Sequence, residues 1–111
     1  MDEIKLYSPK IMMEILDRYG FKFSKSLGQN FLIDGNIIRK IAETADLNEN
    51  SGVLEIGPGF GTLTQILCRK AKKVVSVEVD KSLMEVHRGT LNYDNLKIIY
   101  DDFLKVDVNK L

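Results

Sequence analysis

A glycine-rich turn between two apolar segments constrains this chain more than any other feature of its sequence. Residues 53–62 read VLEIGPGFGT, and residues 74–78 read VVSVE. This order predicts a buried strand, a turn that needs glycine, a helix, and a second strand that ends on a carboxylate. Glycine suits such a turn because it adopts backbone angles closed to other residues and lets main-chain amides approach a ligand. A carboxylate can accept from two neighbouring ribose hydroxyls. The pattern predicts half of a nucleotide-cofactor site, and a plain strand-turn-helix connection is the alternative.

The spacing of the glycines distinguishes between cofactors. A dinucleotide fingerprint reads G-x-G-x-x-G, whereas here Gly61 follows two positions after Gly59, and Thr62 occupies the place of the third glycine. Pro58 stiffens the turn further. The string Glu-x-Gly-x-Gly-x-Gly resembles the first motif of S-adenosylmethionine-dependent methyltransferases, whose ligand has no pyrophosphate to bind.

Hydrophobic periodicity and turn residues predict alternating helices and strands. Helices are expected between Pro9 and Gly20, after Asp34, from Gly61 to Lys70, and from Asp80 to Arg88; strands are expected at Val53–Ile56, Lys73–Val79 and Leu96–Tyr100. The second helix should present one apolar face, made by Ile37, Ile38, Ile41, Ala42 and Ala45. The first strand is apolar enough to be buried on both faces. This order predicts an α/β fold with a parallel sheet, of the partial Rossmann-like methyltransferase type, truncated after its third strand.

Three candidate ligand-binding positions follow the three predicted strands. Ligands of parallel sheets sit at the carboxyl ends of the strands, and Gly57, Glu78 and Asp102 lie at such ends. The exocyclic amine of an adenine needs an acceptor, which a carboxylate after the third strand can supply at about 1.5–3 kcal/mol. Asp101 competes with Asp102 for this role, and a solvated strand end is the remaining explanation for the pair.

Composition restricts the class of protein without naming a function. The 111 residues carry 16 basic and 16 acidic side chains, so charge alone does not indicate a nucleic-acid binder. No secretory signal or membrane-spanning run is visible, and the single Cys68 suits a reducing cytoplasm, where we expect a buried structural thiol. The lone His87 has no companions at ligand spacing, so no metal site is predicted.

One further segment, KSLGQNFLID at residues 25–34, carries a specific family resemblance. Together with EIGPGFGTLT at 55–64 and VEVD at 77–80, it closely resembles the small-subunit ribosomal RNA adenine dimethyltransferases. The resemblance implies that the Gln-Asn-Phe-Leu loop folds over the methionine end of S-adenosylmethionine. It further implies cofactor contacts at six positions: Asn30, Leu32, Gly57, Gly59, Glu78 and Asp102. In this family methyl groups are transferred to the exocyclic amine of adenines that have been flipped out of the RNA.

The resemblance also defines what the sequence lacks. The family's Asn-Leu-Pro-Tyr-like catalytic motif after strand four is absent, because the sequence stops at Leu111 soon after the third strand. We therefore expect an N-terminal fragment without catalytic residues. Residues 1–34 would form a helix and a cofactor-covering loop, and residues 35–111 the first half of the methyltransferase domain. Such a fragment would be inactive alone and would expose the edge of its first strand, which favours self-association.

Alternative functions stay open at this point. Pro58 favours the small-subunit branch over the antibiotic-resistance methylases that modify large-subunit RNA. A non-catalytic RNA- or ribosome-binding module on the same fold is the other alternative. Lys22 and Lys25, beside the cofactor loop, are candidates for contact with RNA phosphates, as are the basic residues of 69–73, although basic runs are more often solvated faces.

Overall fold

A three-stranded parallel sheet, in the order β1-β2-β3, forms the centre of the computed structural model. The structure describes residues 9–20 and 35–111. The helices are α1 Pro9–Arg18, α2 Gly35–Thr44, α3 Thr62–Lys70 and α4 Met84–Thr90, and the strands are β1 Gly52–Ile56, β2 Lys73–Glu78 and β3 Leu96–Tyr100. Short 3-10 turns lie at Lys81–Leu83, Phe103–Lys105 and Val108–Lys110. The predicted parallel α/β fold is thus confirmed.

The register aligns the carboxyl ends of the strands. Ile56 pairs with Val77, and Glu78 pairs with Tyr100. The main-chain N–H of Gly57 continues this ladder by donating to the carbonyl of Val77 at 2.8 Å. On the other side, the N–H of Asp101 donates to the Glu78 carbonyl at 2.9 Å. The three strand ends are therefore hydrogen-bonded neighbours along one edge of the sheet.

Two apolar clusters hold helices against the sheet. The first joins α1, the glycine turn and α4 through Met12, Ile15, Leu16, Phe60, Val86 and Leu91. The second packs α3 on the sheet through Leu67, Cys68, Ala71 and Val74. Phe60 is only 1% exposed, and burial of such a side chain contributes about 1.5–3 kcal/mol. Phe60 thereby anchors the turn that carries it.

The structure corrects the prediction that β1 is buried on both faces. Leu54 is 42% exposed and Ile56 is 58% exposed, while Glu55 between them is buried. Within the described residues β1 pairs only with β2, so one of its edges has no strand beside it. Val53 and Glu55 face α3, whereas Leu54 and Ile56 point to the opposite face. The apolar sequence therefore predicted the strand correctly and its burial wrongly.

The predicted apolar face of α2 is also only partly correct. Ile38 and Ala42 are buried, but Ile41 is 43% exposed, and Ala45 is exposed and lies beyond the helix end at Thr44. The apolar face that α2 buries is therefore narrower than the sequence pattern predicts. Asp34, the expected cap of this helix, lies outside the described residues.

Candidate cofactor site at the carboxyl edge of the sheet

The glycine turn adopts the conformation that its composition predicts. Gly57, Gly59 and Gly61 have φ values of 72°, 57° and 94°, in the left-handed region that disfavours side chains. The N–H of Gly61 donates to the carbonyl of Pro58 at 2.9 Å, which closes a tight turn before α3. A Cβ atom at Gly57 would meet nothing within 4 Å, so the turn leaves open space beside this residue.

Glu78 connects this turn to the end of β2. Its side chain is 4% exposed. One carboxylate oxygen, Oε1, accepts from the N–H of Gly59 at 2.9 Å, and Oε2 accepts from the N–H of Asp80 at 3.0 Å. Each carboxylate oxygen can accept a further hydrogen bond. The buried charge is thus held by main-chain donors while it retains acceptor capacity.

Asp101 and Asp102 follow β3 at the same edge of the sheet. Asp101 is exposed, and its Oδ1 accepts from the N–H of Asp102 at 2.8 Å. Asp102 is half-buried, and its Oδ1 accepts from the N–H of Leu104 at 3.0 Å, which caps the 3-10 turn that follows. Asp102 is the less exposed of the two, and the role of either carboxylate toward a ligand stays a prediction.

Glu55, the acidic residue of the glycine motif, is tied into the interior and does not face the site. Its Oε1 accepts from the hydroxyls of Thr64 at 2.6 Å and Ser76 at 2.7 Å, so it links β1, α3 and β2. Burial raises the pKa of the Glu55 carboxyl, and the two hydroxyls partly oppose that shift. Sequence reasoning assigned no role to these hydroxyls, because their convergence depends on the packing of α3 on the sheet.

The thiol of Cys68 belongs to the interior of the fold. Cys68 is buried, as expected, and burial followed by the charge of Glu55 raises the pKa of its thiol to about 12. A thiol of this kind is inert as a nucleophile at neutral pH. Among the described residues there is no group of three or more His, Cys, Asp or Glu side chains that could hold a metal ion. No helix in this part of the chain is long and apolar enough to cross a membrane.

The structure places four of the six predicted site residues at the carboxyl edge of the sheet. Gly57, Gly59 and Glu78 share one hydrogen-bonded edge, and Asp102 follows the neighbouring strand. Asn30 and Leu32 lie outside the described residues, as do Lys22 and Lys25, so their predicted roles stay predictions.

Comparison with known proteins identifies the family. The family model described as ribosomal RNA adenine dimethylase matches residues 20–111. The chain belongs to the ribosomal RNA adenine dimethylase family. It is 51% identical over 105 residues to the ribosomal RNA small subunit methyltransferase A of Geobacillus sp. WCH70, covering 94% of this chain and 36% of that protein. The protein of the same name from Staphylococcus haemolyticus is 47% identical over 111 residues, covering 99% of this chain and 38% of that protein.

Two solved structures more than 30% identical to this chain share the fold described above. The 23S rRNA methyltransferase ErmE superposes with a TM-score of 0.65 at 39% identity, over 70% of this chain and 32% of that chain. A dimethyladenosine transferase from Plasmodium falciparum gives a TM-score of 0.60 at 35% identity, over 67% of this chain and 28% of that chain. This member of the ribosomal RNA adenine dimethylase family thus spans about a third of the length of the relatives it matches.

Proposed function

We propose that this chain binds S-adenosylmethionine and forms the cofactor-binding part of an adenine dimethyltransferase that acts on small-subunit ribosomal RNA. The observation that carries the proposal is the arrangement of Glu78. Its buried carboxylate is bonded to the glycine turn and lies beside the end of β3, where Asp102 follows. Family membership supports the reaction, and the small-subunit relatives near 50% identity support the RNA class.

The residues present fit the proposed cofactor. The remaining acceptor positions of Glu78 suit the two ribose hydroxyls, and the carboxylate of Asp102 suits the adenine amine. The open space beside Gly57 admits a ligand that any Cβ would crowd. When bound, the cofactor supplies a methyl group on a positively charged sulfur. The protein groups described here bind and orient it; Asn30 and Leu32 would complete the pocket at its methionine end.

Binding of the cofactor is testable directly. Isothermal titration of the 111-residue chain with S-adenosylmethionine should give saturable binding that Glu78→Ala abolishes. Glu85→Ala is the matched control, since Glu85 is an exposed glutamate on α4 that pairs with Arg88 at 3.0 Å. Saturable binding that is equally strong in the Glu78→Ala variant would contradict the proposed site.

Methyl transfer should need more than this chain. Because an adenine amine is a poor nucleophile, transfer requires groups that position the base and accept its hydrogens, and the family motif for this work is absent from residues 1–111. We therefore expect no transfer of labelled methyl groups by this chain to small-subunit particles that lack the modification. A longer protein that contains this chain and a catalytic motif should methylate such particles in preference to large-subunit RNA.

We further propose that the chain self-associates through β1. Leu54 and Ile56 are exposed on a strand whose outer edge has no partner among the described residues, and such edges pair readily with other chains. Leu54→Lys should shift sedimentation at high concentration toward the monomer. Leu104→Lys is the control, because Leu104 is 90% exposed but lies outside the strands. A wild-type chain that is monomeric at millimolar concentration would contradict this proposal.

A further inference from the structure

The single histidine of this chain lies directly behind the glycine turn. His87, on α4, is 2% exposed and therefore buried among packed side chains. Its Nε2 atom lies 2.6 Å from the carbonyl oxygen of Gly59, and its Nδ1 atom lies 2.7 Å from the hydroxyl of Tyr100. The His87 and Tyr100 rings stack with centroids 5.8 Å apart. The proposed binding of the cofactor involves neither of these side chains.

The partners of His87 determine which nitrogen carries its proton. A carbonyl oxygen can only accept, so Nε2–H must donate to Gly59. Burial lowers the pKa of the His87 imidazole, despite the opposing effects of the Gly59 hydrogen bond and of the negative charges of Glu78 and Asp80. In the neutral ring Nδ1 then accepts from the hydroxyl of Tyr100. That phenol keeps its proton, because burial and the charge of Glu78 raise its pKa to about 12.

Both main-chain polar groups of Gly59 are consequently held by hydrogen bonds. Its N–H donates to Glu78, and its carbonyl accepts from His87. With a φ of 57°, Gly59 has no side chain to fix its orientation, so these two hydrogen bonds restrict how its peptide groups can rotate. One bond comes from the end of β2 and the other from α4, and Tyr100 connects the second to β3.

We propose that His87 is a positioning residue that orients the Gly59 peptide groups of the glycine turn for cofactor binding. This role rests on the proposed function of the turn. His87 acts through the main chain of Gly59 and through Tyr100, and it contacts no cofactor itself. Holding the Gly59 carbonyl needs an Nε2–H donor, which the neutral Nε2–H tautomer provides while its Nδ1 accepts from Tyr100.

Protonation would reverse one of the two hydrogen bonds. An imidazolium still donates from Nε2, but its Nδ1–H becomes a donor, so the hydroxyl of Tyr100 would have to accept. The charged groups near the ring are Glu78 and Asp80; on α4 itself, Glu85 and Arg88 are exposed and bonded to each other. Since the pKa of His87 is lowered, the arrangement in which Tyr100 donates to Nδ1 is present at neutral pH and is lost as the pH falls through the folded-state pKa, whereas the Nε2–H bond to Gly59 remains.

Because His87 is the only histidine, nitrogen NMR of the wild-type chain reports its ring without overlap. We expect the Nε2–H tautomer at pH 7 and a titration midpoint below 6.5. His87→Leu, which removes both hydrogen bonds, should increase hydrogen exchange at the Gly59 amide and weaken binding of S-adenosylmethionine about tenfold, the effect of ~1.4 kcal/mol. His87→Gln, which keeps a donor near Nε2, should restore most of both losses. Arg88→Leu is the control on the same helix.

The outcomes separate this role from the proposed function. If the wild type binds the cofactor, and His87→Leu matches it in affinity and in Gly59 exchange, the positioning role is wrong while the cofactor site stands. If the wild type does not bind the cofactor, the proposed function fails for this chain. In that case the positioning role is tested by hydrogen exchange alone: an exchange rate at the Gly59 amide that is the same in the variants and the wild type would overturn it. Should His87→Leu fail to fold, either of two results would overturn the role: an Nδ1–H tautomer in the wild type at pH 7, or a folded His87→Gln protein that lacks the Gly59 protection and the cofactor affinity of the wild type.

Discussion

Replacement of Glu78 by glutamine tests the central feature of the site with a minimal change in shape. Glu78→Gln keeps the length and planar end of the side chain, but it exchanges one acceptor oxygen for an NH2 donor. Each carboxylate oxygen accepts from a main-chain N–H, that of Gly59 or that of Asp80. Glutamine can accept from only one of these N–H groups. The other N–H would face the side-chain NH2 of the glutamine, which is also a donor, in a buried location.

The size of the effect follows from that lost bond. A hydrogen bond to a charged group contributes about 1.5–3 kcal/mol. We expect a loss of that magnitude in the free energy of unfolding, with a decrease in Tm of about 4–8 °C per kcal/mol for a domain of this size. The removed acceptor is also one that the ribose hydroxyls would use. Cofactor affinity should therefore decrease by roughly 10- to 150-fold.

Two measurements separate these effects. Thermal unfolding without ligand reports the lost main-chain bond, and calorimetric titration with S-adenosylmethionine at a temperature where both proteins are folded reports the affinity. Glu85→Gln provides the control, because it makes the same chemical change at an exposed position of α4. A Glu78→Gln protein with the Tm and the affinity of the wild type would refute the assignment of Glu78 as a buried, bonded carboxylate of the site.

Three further predictions concern residues around the site. Burial raises the pKa of Glu55 above 4.5, so ionisation of this carboxyl lowers the free energy of unfolding as the pH rises from that value. The free energy of unfolding of Glu55→Gln should match that of the wild type at pH 4, and it should equal or exceed that of the wild type at pH 7. Gly61→Ala should lower the free energy of unfolding, measured in urea, by about 2–4 kcal/mol, because φ is 94° and the new Cβ would lie 2.7 Å from the Leu91 side chain. Gly52→Ala is the control and should be nearly neutral, because its Cβ would meet nothing within 4 Å. Cys68 should resist alkylation at pH 8 until the protein is unfolded, since the pKa of its thiol is raised to about 12; rapid labelling of the native chain would contradict its burial.

The sequence determined the order and type of the elements. Gly57, Gly59 and Gly61 between an apolar run and an amphipathic segment predicted the strand-turn-helix unit, and the turn has the positive φ values that require glycine. Strand β3 lies at Leu96–Tyr100, as its pattern indicated. These features depend on local backbone preference and on the periodicity of apolar residues, and both are properties of residues that are close together in the sequence.

Burial and side-chain partners were decided by the tertiary structure. The same apolar pattern that predicted β1 could not show that Leu54 and Ile56 are exposed, because their burial depends on which elements lie beside that strand and over its face. From the sequence, His87 could be described only as a histidine without other metal-ligating residues at a suitable spacing. Its contacts with Gly59 and Tyr100 join residues 28 and 13 positions apart. Such contacts arise only when helix and sheet pack together, since packing sets the distances between groups that the chain itself keeps far apart.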